Sequence, residues 1–143
     1  MLQPKRSRYR KIQKGNLKNE THKTSGRISR NQAKLVAPRY QIVSLSITRL
    51  RASTIEAVRR TITRKLKRSG QVLVNVHPSI SVTEKPLQVR MGKGKGAVSY
   101  WICRIKKGQV LYQIDGVKAS SAKSAWLDAA AKLPIKTKWI ASW

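Results

Sequence analysis

Acidic residues are scarce in this chain: five Asp and Glu accompany 32 Lys and Arg among 143 residues, so the formal net charge is +27. Ion pairs within the protein can therefore neutralise only a small fraction of its cations. A free protein with this imbalance repels itself and binds anions indiscriminately. The composition favours a nucleic acid as the partner, because its phosphates supply the missing negative charge.

Cysteine and long apolar runs are also rare. Cys103 is the only cysteine, which excludes an intrachain disulfide and a cysteine-based zinc site. The alternating pattern around it predicts a strand in which Cys103 is a small, buried apolar side chain. The sequence has no run of about 18 apolar residues, which argues against a transmembrane helix. We therefore predict no metal, no cofactor and no membrane partner.

The amino terminus lacks the apolar stretch of a secretory signal. It is basic, as a mitochondrial presequence is, but Pro4 and the dense cations of residues 5–11 leave no amphipathic apolar face. We expect this segment to be part of the mature protein.

Residues suited to catalysis are few. His22 and His77 are the only histidines, and no two carboxylates lie close in sequence for metal-assisted hydrolysis. A small basic ribonuclease could use two histidines and a lysine as acid, base and phosphate clamp. His22 lies in a polar segment and His77 precedes Pro78 at a strand end, where a histidine is usually structural. We predict a protein that is not an enzyme and keep the ribonuclease as an alternative.

Three glycines alternate with two lysines in residues 90–96. Glycine allows tight turns and close approach to another polymer, and the interleaved lysines put positive charge on the same thin loop. A Walker phosphate loop fails on spacing, and a dinucleotide fingerprint fails because a strand pattern follows where a helix is required. The candidate RNA-binding residues of this segment are Arg90, Met91, Gly92, Lys93, Gly94, Lys95 and Gly96.

A basic arm without acids precedes the rest of the chain over residues 1–19. It has few apolar anchors, so we expect it to be disordered alone and ordered on a nucleic acid. Tyr9 is the best candidate for stacking on a base. The candidate RNA-binding residues of the arm are Lys5, Arg6, Arg8, Tyr9, Arg10, Lys11 and Lys14.

The first helix is predicted by a capping box formed by Ser53 and Glu56, which makes Thr54 the first helical residue and Gly70 the C-terminal stop. One apolar stripe would pack on a sheet. The opposite arc has cations without an acid, which favours phosphate contact over a merely solvated face. Its members are Arg60, Arg64, Lys67 and Arg68.

The remaining pattern predicts strands, turns and a second helix. This helix would span residues 122–133, with Ser120 or Ser121 as its cap and Pro134 ending it. Strands are predicted at 40–47, 72–76, from 87 into the glycine loop, 98–105, 110–114 and 135–140, with a polar turn at 83–86 and a hairpin turn at 106–109. Helices among antiparallel hairpins indicate an α+β layer fold.

Several segments together resemble one known family. They are Met-Leu-Gln-Pro-Lys-Arg at 1–6, Thr-Glu-Lys-Pro-Leu at 83–87, Val-Arg-Met-Gly-Lys-Gly-Lys-Gly at 89–96, Tyr-Trp at 100–101, Asp-Gly-Val at 115–117 and Ala-Ala-Ala-Lys-Leu-Pro-Ile-Lys-Thr at 129–137. The chain resembles the bacterial-type large-subunit ribosomal protein L16 (uL16) family. The resemblance covers residues 1–15 and 50–140, and the glycine-lysine loop is its most specific motif.

The resemblance implies the L16/L10e-like α+β fold, an antiparallel β-rich sandwich with two packed helices, as one domain over 1–143. Residues 1–38 would be the basic arm and 39–143 the core. It implies a structural constituent of the large ribosomal subunit that binds large-subunit rRNA near the A site and peptidyl-transferase region and supports tRNA positioning. Implied partners are this rRNA, the A-site tRNA region and other large-subunit proteins. A free RNA-binding assembly factor is the alternative.

The chain departs from the family pattern at residues 16–48 and again at 139–143. The family usually has a glycine- and aromatic-rich segment in the first region, and this chain lacks Phe altogether. Because the family opening begins at Met1, no targeting sequence is visible. We expect an organelle-encoded copy, with the mitochondrial matrix favoured over the plastid and a bacterial cytoplasmic copy as the alternative.

Overall fold

The computed structural model describes residues 2–5, 8–17 and 40–141. Two helices and seven strands occur in these residues. In chain order they are β1 (Tyr40–Ser44), β2 (Thr48–Arg51), α1 (Ala52–Lys65), β3 (Gln71–Val74), β4 (Ile80–Glu84), β5 (Ala97–Ile105), β6 (Val110–Asp115), α2 (Ala119–Ala130) and β7 (Thr137–Ala141). None of the helices in this part of the chain has the length and apolar character needed to cross a membrane.

The strands form two antiparallel sheets. The four-stranded sheet has the order β3-β6-β1-β7, and the three-stranded sheet has the order β2-β5-β4. The predicted α+β class and the final edge strand are confirmed. The predicted hairpin at 106–109 is wrong, because β5 and β6 lie in different sheets and the turn passes between them.

The strand predicted at 40–47 ends at Ser44 as β1, and a second strand, β2, begins beyond it at Thr48. The chain leaves the four-stranded sheet after Ser44, whose hydroxyl donates to the Ser46 carbonyl oxygen at 2.6 Å. Leu45 and Ser46 are exposed, and β2 then enters the three-stranded sheet. An exposed turn at Leu45 and Ser46 therefore ends the first strand before the predicted residue 47.

The core lies between the helices and the sheets. Side chains from both sheets and both helices join one buried cluster, which includes Ile42, Leu50, Ile62, Tyr112 and Ala125. The Tyr112 hydroxyl donates to the Ile55 carbonyl oxygen at 2.9 Å and so ties β6 to α1. Burial of this phenol raises its pKa. Cys103 is buried as predicted, and burial also raises the pKa of its thiol.

The apolar stripe of α1 is confirmed, but both predicted ends are wrong. The helix begins at Ala52, because Arg51 belongs to β2 and the chain turns into the helix directly after it. Ser53 therefore lies inside the first turn and makes no cap. The helix ends at Lys65, because Lys67 and Arg68 have φ values of 49° and 63° in the left-handed region.

Helix α2 begins and ends three residues earlier than the sequence indicated. Lys118 occupies the N-cap position without a side-chain cap bond, so Ser120 and Ser121 lie within the helix. The backbone amides of Lys132 and Leu133 donate to the carbonyl oxygens three residues earlier, so a tighter, 3₁₀-type turn follows the helix before Pro134. The buried face of Ala122, Ala125 and Ala129 agrees with the prediction.

The segment before the glycine loop also differs from its prediction. Residues 80–84 form β4, where a polar turn was expected at 83–86. Residues 87–89 form no strand, and Leu87 is fully exposed. The apolar residues at 87 and 89 have no opposing strand to pair with, because the ladder between β4 and β5 closes at Glu84 and Ala97.

Candidate nucleic-acid interface

Residues 85–96 form one long loop between β4 and β5, which we call the tip loop. Its glycines take conformations that other residues rarely adopt: φ is 91° at Gly92 and 88° at Gly94. Lys93 between them also has a positive φ of 51°. No atom lies within 4 Å of where a Cβ would stand on Gly92 or Gly94. The tip loop therefore presents bare backbone together with cationic side chains.

Gly96 is needed for a different reason. A Cβ on this residue would lie 2.5 Å from the Glu84 carbonyl oxygen. Gly96 therefore lets the two strands close directly before their first pair. At the other side of the loop, the Lys85 ammonium donates to the Gly92 carbonyl oxygen, which folds the loop back towards its own base.

The basic arm is bound to the three-stranded sheet over residues 10–15. Ser81 of β4 bonds the two peptide groups that flank Lys11: its hydroxyl donates to the Arg10 carbonyl oxygen at 2.5 Å and accepts from the Ile12 amide at 3.2 Å. Leu2 packs on the main core. These described parts of the arm thus contact the fold through hydrogen bonds and apolar packing, and the disorder of the isolated arm stays a prediction.

The arm and the tip loop also bind each other. The Lys11 ammonium donates to the Lys95 carbonyl oxygen at 2.7 Å, and the Lys95 ammonium donates to the Ile12 carbonyl oxygen at 3.1 Å. Two candidate segments about 80 residues apart in sequence therefore form one basic surface, which we call the arm–tip surface and define as residues 8–15 with 85–96.

Two arginines that the sequence did not single out hold the arm further along. Arg49 of β2 donates to the Gly15 carbonyl oxygen, and Arg104 of β5 donates to the Lys14 carbonyl oxygen, each at 2.6 Å. Both lie on strands, where a charge in an alternating pattern indicates only an outward side chain. The sequence gives no sign that both arginines donate to carbonyl oxygens of the same segment of the arm.

The aromatic candidates divide into two groups. Tyr9 is 73% exposed, and the Arg8 guanidinium lies 5.6 Å from its ring centre, so its ring can reach a base. Trp139 instead stacks on Tyr40 with ring centres 5.1 Å apart, and Trp126 packs against the same indole. These last three rings hold β1, β7 and α2 together.

The basic candidates of the arm that the structure describes lie on the surface of the protein. Lys5, Arg8, Arg10, Lys11 and Lys14 are exposed, whereas Arg6 lies outside the described residues. Every charged candidate of the tip loop is exposed as well, and Met91 is 93% exposed. An exposed methionine beside arginine and lysine suits contact with a base or ribose more than a protein core.

The outer face of α1 forms a second basic surface. Arg60, Arg64, Lys67 and Arg68 are exposed, although the last two lie beyond the helix. Two shallow grooves of about 460 and 480 Å³ run along this face. The second groove is lined by Arg59, Arg60, Thr63, Arg64, Lys67 and Arg68.

This face is not free of acid, which corrects the sequence interpretation. Glu56 accepts from Arg59 at 2.7 Å and from Arg60 at 2.9 Å. The Arg59 guanidinium is the main cause that lowers the pKa of Glu56 to about 2, with Arg60 adding to the effect and partial burial opposing it. The same hydrogen bond raises the pKa of Arg59. Glu56 therefore forms ion pairs with Arg59 and Arg60 and does not cap the helix.

The geometry does not bring catalytic groups together in the described residues. His77 is exposed after β3, and His22 lies outside the described part. No group of three or more His, Cys, Asp or Glu that could hold a metal occurs within residues 2–5, 8–17 and 40–141.

Comparison with known proteins gives matches along nearly the whole chain. The family model described as "Ribosomal protein L16p/L10e" matches residues 4–140. The chain is 44% identical to "Large ribosomal subunit protein uL16m" of Prototheca wickerhamii, over 98% of each chain. It is 46% identical to "Large ribosomal subunit protein uL16" of Psychrobacter cryohalolentis, over 96% of this chain and 94% of the relative. It is likewise 46% identical to the protein of that name in Pelagibacter ubique, over 98% and 97%.

Proposed function

The chain belongs to the ribosomal protein L16p/L10e family, and we propose that it is a structural protein of the large ribosomal subunit that binds the rRNA of that subunit through the arm–tip surface. The relatives are named as proteins of the large ribosomal subunit and not as enzymes. The role is therefore one of binding and shaping RNA.

The observation that carries this proposal is the pair of hydrogen bonds by which the Lys11 ammonium donates to the Lys95 carbonyl oxygen and the Lys95 ammonium to the Ile12 carbonyl oxygen. It joins the arm and the tip loop into one surface through hydrogen bonds within the protein itself. A surface already ordered loses less conformational entropy on binding than two separate flexible segments would. Phosphate contacts from its lysines and arginines would fix the protein on the RNA.

The scarcity of acids supports the same proposal. Four of the five carboxylates lie in the described residues, and each has a local partner: Glu56 binds arginines of α1, Asp128 binds Lys65, Glu84 accepts from Ser99 and Asp115 accepts from the Gly116 amide. None of these partners belongs to the arm–tip surface. Its cations would find their counter-charge in RNA phosphates.

At finer scale, we propose that the tip loop lies near the A site and the peptidyl-transferase region and helps to position tRNA. The support is the family motif at 89–96 together with the thin, side-chain-poor backbone at Gly92 and Gly94. Such a loop can approach crowded RNA closely because no Cβ intervenes. The protein would shape this region and would not carry out peptide transfer.

The proposed RNA contact is tested by changing Lys93 and Lys95 together to Ala. Both side chains are exposed, so we expect the core to persist, although the bond from Lys95 to Ile12 is lost, while binding to large-subunit rRNA weakens. The slope of log affinity against log salt should fall by about two, since each lysine contributes about one phosphate contact. A filter-binding titration over several salt concentrations measures the slope.

The matched control changes Lys123 and Lys138 to Ala. These lysines are exposed on α2 and β7 and outside the arm–tip surface, so the charge change is the same. An equal loss of slope in test and control variants would show that only total charge matters and would contradict the assignment.

A free assembly factor is the alternative function. It would occur on precursor particles and be absent from translating ribosomes, whereas a structural constituent sediments with mature large subunits through moderate salt. Presence only in low-molecular-weight fractions would overturn both.

A ribonuclease using His22 and His77 predicts that changing both to Ala abolishes RNA cleavage by the purified protein.

For the compartment we propose a mitochondrial ribosome. The relative named uL16m and the bacterial relatives match equally well, so similarity does not separate the two locations. Fractionation of cells into mitochondria and cytosol, with detection of this chain in the ribosomes of each, tests the proposal. Recovery only from cytosolic ribosomes would contradict it.

A further inference from the structure

Three arginines share the outward face of the three-stranded sheet, and we call them the arginine face: Arg49 and Arg51 of β2 and Arg104 of β5. Side chains alternate along a strand, so residues two apart lie on the same face. The intervening Leu50, Cys103 and Ile105 point into the core cluster. None of these arginines belongs to the tip loop or to the outer face of α1.

The register places two of the arginines directly opposite each other. Arg49 of β2 is the cross-strand partner of Arg104 of β5. Like charges at directly opposed positions destabilise a sheet unless something offsets their repulsion. The pairing therefore implies either a cost to folding or a counter-charge at this place.

No counter-charge for the arginine face comes from the described residues. The three ion pairs found there are Arg59 and Arg60 with Glu56, and Lys65 with Asp128. All of them lie on the helices. Within the described residues the repulsion between the opposed arginines is therefore offset by carbonyl oxygens of the arm alone, and an anion bound between them would offset it further.

The arginines are nevertheless held in fixed orientations. Arg49 and Arg104 donate to successive carbonyl oxygens of the arm, those of Gly15 and Lys14. A Cβ on Gly15 would lie 2.8 Å from the Arg104 guanidinium, which would have to shift, and the φ of 62° at this residue also favours glycine. A guanidinium has five donors. The Arg49 Nε is buried without a partner among the described residues, whereas Arg104 is exposed and keeps further donors available in an orientation that the arm has already set.

The third arginine is oriented by an aromatic ring. The Arg51 guanidinium lies 4.4 Å from the ring centre of Tyr100, which is a cation–π contact. Arg51 stands about 6.8 Å along the strand from Arg49. This spacing is close to the separation of neighbouring phosphates in one RNA strand.

We propose that the arginine face is a further binding site for the sugar–phosphate backbone of an RNA strand. Arg49 and Arg104 bind one phosphate between them, and Arg51 binds the next. Planar guanidiniums bind phosphate with two parallel hydrogen bonds, which suits a preset pair better than lysine would. This site rests on the proposed RNA-binding function and adds contacts outside the arm–tip surface.

The first test changes Arg104 to Gln and, separately, to Lys, with large-subunit rRNA as the probe. Gln keeps an N–H donor for the Lys14 carbonyl oxygen but loses the charge, whereas Lys keeps the charge. We expect the salt slope to fall in Arg104→Gln by part of the about 0.7 to 0.9 that one phosphate contributes, because Arg49 still faces that phosphate, and to fall by about 0.7 to 0.9, or about five- to eightfold in affinity at about 0.1 M salt, when Arg49→Gln is added. Arg104→Lys should keep the wild-type slope. An unchanged slope in Arg104→Gln would mean that this arginine only anchors the arm and would overturn the proposal.

Arg51→Gln provides a test that does not involve the arm. Arg51 is exposed, and its guanidinium lies over the Tyr100 ring and not against the arm, so the fold and the arm should both persist. The expected loss of slope is again about 0.7 to 0.9. Lys123→Gln on α2 is the matched control and should leave the slope unchanged. A loss in Arg51→Gln no larger than in this control would contradict the two-phosphate arrangement.

The outcome can be separated from failure of the proposed function. If the Lys93 and Lys95 variants lower the slope while the arginine variants do not, RNA binding stands and the arginine face is excluded. If the arginine variants alone lower it, the arginine face binds RNA and the arm–tip surface does not. If neither set does, both proposals fail.

Discussion

Single residues of the arm–tip surface have distinct tasks. Gly92 and Gly94 keep the backbone bare, Gly96 allows the strands to close, and Lys93 extends from a left-handed backbone position. Lys95 has two tasks, because its ammonium holds the Ile12 carbonyl oxygen and still has two further donors for phosphate. A count of basic residues alone would treat these lysines as equivalent.

Glu56 gives a prediction at the scale of one carboxylate. Its pKa is about 2 in the fold against an ordinary value of 4.5. The ionised form therefore stabilises the fold above pH 4.5, and this contribution declines as the pH falls towards 2. Glu56→Gln should lower the free energy of unfolding by ~1 kcal/mol near neutral pH and make no difference at the acid end.

Urea unfolding of both proteins at several pH values measures this difference. Asp128→Asn is the control: its ion pair with Lys65 has both side chains nearly half exposed, so its removal should change stability little. A difference between Glu56→Gln and wild type that is constant down to pH 2 would contradict the assignment.

Among the elements, the β4–β5 hairpin and the arm depend on each other. The hairpin supplies Ser81, which holds the arm through Arg10 and Ile12, and the arm supplies Lys11, which holds the tip loop. Strands β2 and β5 add Arg49 and Arg104. The three-stranded sheet is therefore the platform on which the proposed RNA-binding segments are assembled.

The closure of this hairpin gives a prediction about Gly96. In Gly96→Ala the new Cβ would meet the backbone oxygen of Glu84, so the strands must shift, and we expect a loss of about 1–3 kcal/mol. In Gly94→Ala the space is open, so only the positive φ opposes the change, by roughly 1 kcal/mol.

Chemical denaturation of the two variants gives the comparison. We expect Gly96→Ala to unfold at lower denaturant than Gly94→Ala, and Gly94→Ala to lose RNA affinity while keeping most of its stability. Equal stability of the two variants would mean that the contact between Gly96 and Glu84 is not constrained in solution.

At the scale of the whole molecule, a modest core stabilises a strongly charged surface. The two sheets and two helices share one apolar cluster, whereas the net charge is +27. Repulsion among these cations opposes the compact state of the free protein. Neutralisation by RNA would both bind the protein and stabilise its fold.

We therefore expect the melting temperature of the free protein to rise with salt. Raising the ionic strength from about 0.01 M to about 0.15 M shortens the range of repulsion from about 30 Å to about 8 Å. Calorimetry in sodium chloride measures the rise, and sodium sulfate at equal ionic strength should raise it further if anion sites exist. A melting temperature that falls with salt would contradict this view of the surface.

The sequence by itself determined the α+β class, the existence of both helices and the basic character of the tip loop. These follow from local properties: the apolar spacing in α1, the strand pattern around Cys103 and the glycine-lysine motif. The sequence did not predict the ends of α1. Its start is set by Arg51, which pairs within β2. Its end is set by Lys67 and Arg68, whose left-handed backbone conformations are not indicated by their residue types. Only the tertiary structure brought Lys11 to Lys95 and Arg49 to Arg104. Contacts between distant segments depend on sheet order and register, which are set by packing of the whole chain and not by any local pattern.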